Sequence, residues 1–527
     1  MDYHLNIKKN YKLTLLVILL TAVLRIYFAE QNYYGISTDP ANFILAVKSY
    51  NLTEDQPHLP GYYLHIQLIK LVKILTGNTH TAMLILSILY SSLSAGFLFL
   101  LFRYWFDIKI SLLLTLLVIT NPMVWYYGCT TEIYSFDLFF SVVLAWLGLN
   151  PVGIYFTPLF LGLFSGVRPS SGILILGLYL FLWYKYFKSG SFSIKKAILS
   201  HLGGLAGFLF WLIPLLNAAG GLRKYLALYS TNSPLPEISI LQNWYTILSY
   251  AVFISFPFIA LIIFLLVHSL KNRNVKESGE NQEKILVPKD FLYLMLSWSV
   301  PPLLFFFFYY YAKGYLLLCI VPVLSIIIVF IHKRKAFLGN LLLIIIIQSA
   351  FFCLWPYKQP ETRLFFSPNA RHLSLSKVWL ERTCSVYLMA QSHIRSMEKS
   401  EDEIGRLISY LSRSTHNLKD KLIFIDPTVS IRARALQAEY PELKFGAISL
   451  TGTDEYKIYN NTEVFTRKGL DKMFKEAFIL SRSGFAVKYI KDIIPIRNSG
   501  QYLLYRIQPE ESGMLANVYS SLFLHIK

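Results

Sequence analysis

Charge is scarce in this sequence, and what there is leans one way: 15% of the 527 residues are charged, 50 Lys and Arg against 31 Asp and Glu, for a formal net charge of +19. An ordinary soluble domain carries roughly a quarter of its residues as charges, so this chain cannot cover itself with a water-facing surface. Cysteine is also rare. Cys129, Cys319 and Cys353 lie in or at the ends of apolar segments and Cys384 stands alone in the tail, which excludes a disulfide framework and zinc-ligand spacing. The chain has no Gly-x-x-x-x-Gly-Lys loop, no Gly-x-Gly-x-x-Gly after a strand and no His-Glu-x-x-His. Those absences count against ATP-driven transport, dinucleotide chemistry and zinc proteolysis. Internal repeats and low-complexity segments are absent too.

Apolar sequence is what the chain has instead: 54% of residues are hydrophobic, 16% are aromatic, and mean hydropathy is +0.46. A bilayer core about 30 Å thick takes roughly 20 apolar residues per helix. About eleven candidate spans meet or approach that length: 13–29, 82–102, 110–125, 135–149, 152–166, 172–187, 198–217, 243–268, 291–311, 315–331 and 337–355. The first follows Lys8, Lys9 and Lys12 as a signal peptide would, yet it runs on without a small-residue cleavage site and reads as a retained span.

The cations fall between these spans in alternation. Seventeen of them gather in one set of connections, among them Arg103, Lys109, Lys185, Lys188, Lys271, Arg273, Lys333 and Arg334. The opposite set holds Lys48, Lys70 and Lys73 in a long first loop, then Arg168, Arg223, Lys224 and Lys313. The positive-inside rule makes the first set cytoplasmic, the N-terminus inside and the C-terminal tail outside. Positive charge so placed encodes topology, and nucleic acid is not expected as a partner. Membrane lipids are. A bacterial inner membrane is favoured over an endoplasmic reticulum.

Two domains are expected: residues 1–355 as a transmembrane domain with a long first outer loop at 30–81, and 356–527 as an extracytoplasmic α/β domain. Within the first loop, Leu64, Leu68, Leu71, Val72 and Leu75 share one helical face, the pattern of a helix lying on the membrane surface. After Trp355 the sequence turns polar and mixed. It predicts a helix near 398–412, strands at 421–426, 444–450 and 502–507, and a helix around 468–480.

Ionisable groups at the outer ends of spans are the functional candidates, because a charge near the bilayer centre costs roughly 2.5 to 3.5 kcal/mol even on permissive scales. Asp39, in Ser37-Thr38-Asp39-Pro40, suits a helix N-cap and equally a general base held over the membrane surface. His58 sits in the stiff turn Pro57-His58-Leu59-Pro60-Gly61-Tyr62, where it could bond a phosphate or orient a carboxylate, or be incidental to the turn. His65 reads as an ordinary interfacial residue. Glu132, in Thr130-Thr131-Glu132-Ile133-Tyr134-Ser135-Phe136-Asp137, is either a first-turn helix charge or a second acid on the side of Asp39. Arg168 and Lys313 interrupt apolar sequence on that same side, where cations either snorkel to the interface or hold an anion; Arg223 and Lys224 are weaker versions of the same idea.

These motifs, in this order and placement, resemble the GT-C superfamily of lipid-phosphosugar-dependent glycosyltransferases over about residues 10–330. The segment 57–62 is similar to the His-Pro-Pro-Gly-Tyr of the protein O-mannosyltransferase-like branch. Thr131-Glu132-Ile133-Tyr134-Ser135 is similar to that branch's Ala-Glu-Val-Tyr-Ser, and 162–172 to its following turn with Gly and Arg. The chain has Pro40 where many relatives carry a second acid, and Leu59 where the family segment has its first Pro.

The resemblance implies a polytopic α-helical membrane protein that moves a sugar from a polyprenyl or dolichyl phosphate to an acceptor hydroxyl on the periplasmic or lumenal side. The acceptor is a protein, a lipid or a glycan. Asp39 would be the base in an inverting transfer, with Glu132 and His58 beside it, and Arg168, Lys313, Arg223 and Lys224 would hold the donor phosphate. No cofactor is fixed, and a divalent metal stays open. A membrane transporter or lipid flippase is the rival reading, since it too needs many spans. Transporters, however, place charges and broken helices near the midplane of repeated halves, whereas the charges here gather at one face. A non-catalytic scaffold with a partner-binding outer domain is the third.

Overall fold

The computed structural model describes residues 7–29, 39–190, 192–232, 289–308, 313–331, 337–354 and 390–414, and from 421 to 507 chiefly the β-strands. The expected span at 243–268 lies outside the described residues, as does the boundary expected near 355.

A bundle of helices forms the first part: α1 (Ile7–Phe28), α2 (Asp39–Lys48), α3 (Tyr63–Thr76), α4 (Thr79–Phe102), α5 (Ile108–Ile119), α6 (Pro122–Gly128), α7 (Ser135–Leu149), α8 (Thr157–Phe164), α9 (Pro169–Leu174), α10 (Leu176–Lys188), α11 (Ile194–Ala218), α12 (Leu222–Asn232), α13 (Lys289–Phe308), α14 (Ile320–Ile331) and α15 (Phe337–Leu354). Helix α4 is the buried axis, packed by α1, α3, α5 and α7. Close approach between helices is made through small residues. Gly96 receives Ile18 and Thr14 of α1, and Gly162 meets the backbone of Gly204 where α8 crosses α11. Without a hydrophobic driving force in lipid, backbones that can come this near gain the dispersion contacts that hold a membrane bundle together.

The outward faces are apolar. Leu15, Leu19 and Val23 on α1 and Ile198, Leu202 and Leu205 on α11 are exposed, a belt that only lipid can solvate. Among the described residues, Tyr11–Phe28, Thr79–Phe102 and Ile194–Ala218 are long and apolar enough to cross a membrane, and α5 with α6 makes a fourth if the pair, bent by 69°, is one span. Ser135–Leu149, Gly153–Phe164 and Leu341–Leu354 are apolar but shorter. Among the described residues fewer full-length spans are found than the eleven expected for the whole chain, and at α5 and α6 an apolar run is broken into two short helices.

The break between α5 and α6 shows how. Pro122 cannot continue the helix, and Asn121 caps α6 by accepting from the Met123 N–H at 3.0 Å. Carbonyls at the end of α5 lose their helical donors, and Arg25 supplies one: its Nη2 donates to the Ile119 carbonyl at 2.7 Å. Its Nε donates to Ser91 Oγ at 3.0 Å, and its guanidinium lies 5.2 Å from the Trp125 ring centre. Sequence reasoning passed over Arg25 as one more residue of an apolar helix.

At one end of the bundle, Lys185 on α10 pairs with Asp290 on α13 at 2.9 Å and lies 5.7 Å from the Tyr104 ring just after α4. Three of the connections expected to be cytoplasmic are thus brought together. At the other end, α3 buries His65, Ile66 and Ile69 against the bundle and exposes Leu71, Ile74 and Leu75. The apolar face expected to lie on lipid is divided, with Leu64, Leu68 and Val72 packed on the core instead.

The second part is a helix on a sheet. Helix α16 (Gln391–Ser414) packs Ile404, Leu407, Ile408 and Leu411 against Ile423, Phe478 and Leu504. The sheet order is β2 (Lys444–Ala447), β1 (Lys421–Ile425), β5 (Glu476–Arg482), β7 (Tyr502–Ile507), β6 (Arg497–Ser499), parallel through β2-β1-β5 and antiparallel through β5-β7-β6. A separate antiparallel pair joins β3 (Glu455–Lys457) to β4 (Val464–Thr466). The helix expected to reach residue 480 is a strand over its described end: β5 is central, Phe478, Ile479, Leu480 and Ser481 are all buried, and a run apolar on both faces carries no period to tell helix from strand. The first turn of α16 touches the bundle, where Ile394 joins the main core and the His393 ring lies 6.4 Å from that of Tyr126.

Replacing Arg25 with Leu removes a charged donor from a buried carbonyl, a loss of about 1.5 to 3 kcal/mol. Thermal unfolding of the purified protein in detergent is expected to show a lower midpoint; an unchanged midpoint would mean that the Ile119 carbonyl has another donor.

Candidate functional site

Three backbone segments converge at the end of the bundle away from Lys185, and glycine makes the convergence sterically feasible. The first is the turn between α2 and α3. Asn51 pairs with Gln56 across an isolated bridge, and Tyr50 Oη donates to the Gly61 carbonyl at 2.6 Å. Gly61 has φ of +108°, and a Cβ there would run into Leu215. Tyr62 follows at φ +45°, a left-handed conformation that costs a non-glycine residue of order 1 kcal/mol or more and that the surrounding contacts must enforce. The second segment is the turn Gly166–Arg168. It is tied to the first by a backbone hydrogen bond, Leu64 N–H to the Gly166 carbonyl at 3.0 Å. The third is the 3-10 helix Lys313–Leu318, in which Gly314 lies flat against the Tyr134 ring, where a Cβ has no room.

Asp39 opens α2, as expected of a residue before Pro40. Its Oδ1 lies 3.7 Å from His58 Nε2, and the two side chains are 22% and 24% exposed, so the pair is reachable from solvent without being fully hydrated. His58 Nε2 is 3.2 Å from the Tyr62 hydroxyl, and its ring stacks on Phe43 at 5.8 Å between centroids. His58 Nδ1 is buried and has no partner among the described residues. Burial first, then Tyr315 and Asp39, hold the Tyr62 phenol well above the ordinary phenol range, opposed by the charge and hydrogen bond of Arg168. Tyr62 is thus a permanent donor that touches both halves of the site.

The other half centres on Arg168. Its guanidinium pairs with Asp137, which also accepts from Ser171 Oγ. Tyr134 and Tyr315 face it, with ring centres 4.3 and 4.1 Å from Cζ. Arg168 is 1% exposed, and its Nε is buried without a partner among the described residues. It is neither a snorkelling cation nor a free one. Asp137, quoted in the sequence only as the end of a motif, turns out to be its counter-ion. The signal was available in principle: an acid in the first turn of an otherwise apolar helix needs a cation from another segment.

The remaining expected residues are placed around this centre. Glu132 is buried next to Tyr134, on which its charge acts, and its carbonyl accepts from Ser87 Oγ at 3.2 Å. Lys313 begins the 3-10 helix that delivers Tyr315 to Arg168. Arg223 and Lys224 are exposed at the start of α12, which reaches the first turn through Tyr225 Oη donating to the Pro60 carbonyl at 3.1 Å. His65 is a correction: it is 2% exposed, packs edge-on to Phe43 at 4.9 Å, and neither ring nitrogen has a partner among the described residues. Burial, then the charge of Arg168, push it down to about 3. No group of three or more His, Cys, Asp or Glu side chains that would hold a metal gathers among the described residues.

Two solved structures share this architecture. ArnT from Cupriavidus metallidurans in the apo state aligns with a TM-score of 0.55 at 11% identity, covering 94% of this chain and 98% of that one. The same protein bound to undecaprenyl phosphate gives 0.54 at 12% identity, over 94% and 97%. At this identity the likeness is one of fold. It agrees with the GT-C fold that the sequence resemblance implies and does not single out the protein O-mannosyltransferase-like branch. No family model matches the chain, and no curated protein matches its sequence.

A histidine whose folded value lies near 3 refuses the proton that the unfolded chain binds near 6.5. Stability therefore falls as pH drops below about 6.5, by about 2 kcal/mol at pH 5 relative to pH 7.5. His65→Phe is expected to lack this component, so its stability relative to the native chain rises as pH falls. Parallel stability curves for the two proteins would contradict a buried neutral His65.

Proposed function

We propose that this chain is a lipid-linked-sugar glycosyltransferase, which moves a sugar from a polyprenyl phosphate to an acceptor hydroxyl at the non-cytoplasmic face of a membrane. The observation that carries the reading is the pairing of a partly exposed carboxylate, Asp39, with a buried cluster of donors around Arg168, bridged by Tyr62. ArnT is a GT-C polyprenyl-phosphate-sugar glycosyltransferase, and its undecaprenyl phosphate complex supports a polyprenyl donor for a chain of this fold.

In the reaction, the acceptor oxygen attacks C1 of the sugar from the side opposite the phosphate, while Asp39 takes the hydroxyl proton. The C1–O bond to phosphate breaks, its electron pair stays on the phosphate, and the configuration at C1 inverts. His58, 3.7 Å from Asp39, orients the carboxylate, and Glu132 lies buried behind Tyr134. Charge grows on the phosphate as the bond breaks, so donors set in advance around it lower the barrier. The hydroxyls of Tyr62 and Tyr134 and the Arg168 Nε are suited to that. A guanidinium already paired with Asp137 offers less net charge than a free one, so Lys313, Arg223 and Lys224 supply the remaining cations. The meeting of Tyr104, Lys185 and Asp290 at the other, cation-rich end supports reading that end as the cytoplasmic one. The soluble part at 356–527 then lies outside, and a bacterial inner membrane would make that the periplasm.

Asp39→Asn preserves shape and removes the base. Transfer from a polyprenyl-phosphate sugar by the purified enzyme is expected to fall about 10²- to 10⁴-fold, with donor binding retained. Full transfer by the Asn variant would assign the proton to another group.

A further inference from the structure

The second part of the chain holds a cavity of about 900 Å³, between the middle of α16 and the turn that joins β6 to β7. That volume suits a ligand of several rings. Its lining is unlike that of an apolar pocket. Arg406, Arg413 and Arg497 face it together with Glu401, Asp402 and Glu439, three cations with three carboxylates. The Arg497 guanidinium lies 5.2 Å from the ring centre of Tyr410, so one wall is a flat surface of ring and planar cation.

Balanced charge at this density narrows the ligand. A polyanion would meet three carboxylates and a polycation three arginines, so each is disfavoured by like charge. A hydroxyl both donates and accepts. Carboxylates that only accept, placed among guanidinium groups that only donate, can satisfy both capacities of a neutral ligand rich in hydroxyls.

We propose that this cavity binds a neutral saccharide and that, if the chain transfers sugars, it holds the glycan part of the acceptor; the second clause rests on the function proposed above, the first does not. The placement agrees with such a role. From His393, which lies against Tyr126 of the bundle, to Glu401 is eight residues along α16, about 12 Å at 1.5 Å per residue. Tyr126 adjoins Tyr127, which packs on Tyr134 at 4.9 Å, and Tyr134 covers Arg168.

Gly405 provides a test that spares the fold. It lies in α16 on the cavity wall, and the atom nearest to an added Cβ is Tyr440 Oη at 3.6 Å, an ordinary contact. A larger side chain there fills the cavity while replacing the poorest helix former short of proline. The full chain in nanodiscs, without any lipid-linked donor, would be titrated with mannotriose, cellotriose and chitotriose, and with a heparin tetrasaccharide as the anionic control. The expected result is saturable binding of at least one neutral trisaccharide, lost in Gly405→Phe and weakened about tenfold or more in Arg413→Ala, with thermal unfolding of Gly405→Phe unchanged. No binding of any neutral sugar, binding that Gly405→Phe leaves intact, or binding of the heparin fragment alone would overturn the proposal. Because no donor is present and no turnover is read, failure here is separate from failure of the transfer reaction.

Discussion

A carboxylate and a guanidinium are buried together at one end of an apolar bundle, and the surrounding geometry is arranged around keeping them paired. Neither Asp137 nor Arg168 could be held there alone, since removing either partner leaves an uncompensated charge at a cost of several kcal/mol. Ser171 satisfies the second carboxylate oxygen, Tyr134 and Tyr315 offer their ring faces to the cation, and Tyr62 meets it by hydroxyl. These side chains come from four distant parts of the sequence. The locally unusual backbone features, the left-handed Tyr62, the glycine at 61 and the glycine at 314 pressed on a ring, are the means by which those parts are brought to one pair. The Leu64 to Gly166 hydrogen bond then couples this pair to the turn that carries His58.

How much of this was legible follows from the range of each signal. Apolar runs and cation alternation are local patterns, and they correctly indicated a helical membrane bundle whose connections at Tyr104, Lys185 and Asp290 meet at one end. Asp39 was legible as a helix start because Asp-Pro carries its capping chemistry in two residues. Span length was overestimated where polar caps hide in apolar sequence, as at Asn121-Pro122, since hydropathy averages over the break. The strand at Glu476–Arg482 was read as helix because burial on both faces erases periodicity.

Side-chain partners were the least legible part. Arg168 stood out in the sequence as a cation interrupting apolar segments, but its engagement with Asp137 depends on α7 and the turn before α9 meeting in space, which no spacing encodes. Arg25 was missed for the same reason: its partner is the Ile119 carbonyl, 94 positions later, freed where Pro122 ends the helix. His65 differs. Its position on α3 is a sequence fact, but whether it faced lipid or core depended on how the helix was rotated, and the rotation is set by Ile66 and Ile69.

The proposed transfer requires a polyprenyl phosphate to dock at the Asp39, Tyr62 and Arg168 end of the bundle. A structure of the protein in nanodiscs with undecaprenyl phosphate tests this most directly. The phosphate is expected within hydrogen-bond distance of the Tyr62 hydroxyl or the Arg168 guanidinium, with Asp39 open to the side from which an acceptor would approach. A phosphate seated at the Lys185 and Asp290 end, or midway through the bundle, would contradict the account and favour a protein that carries lipid across the membrane.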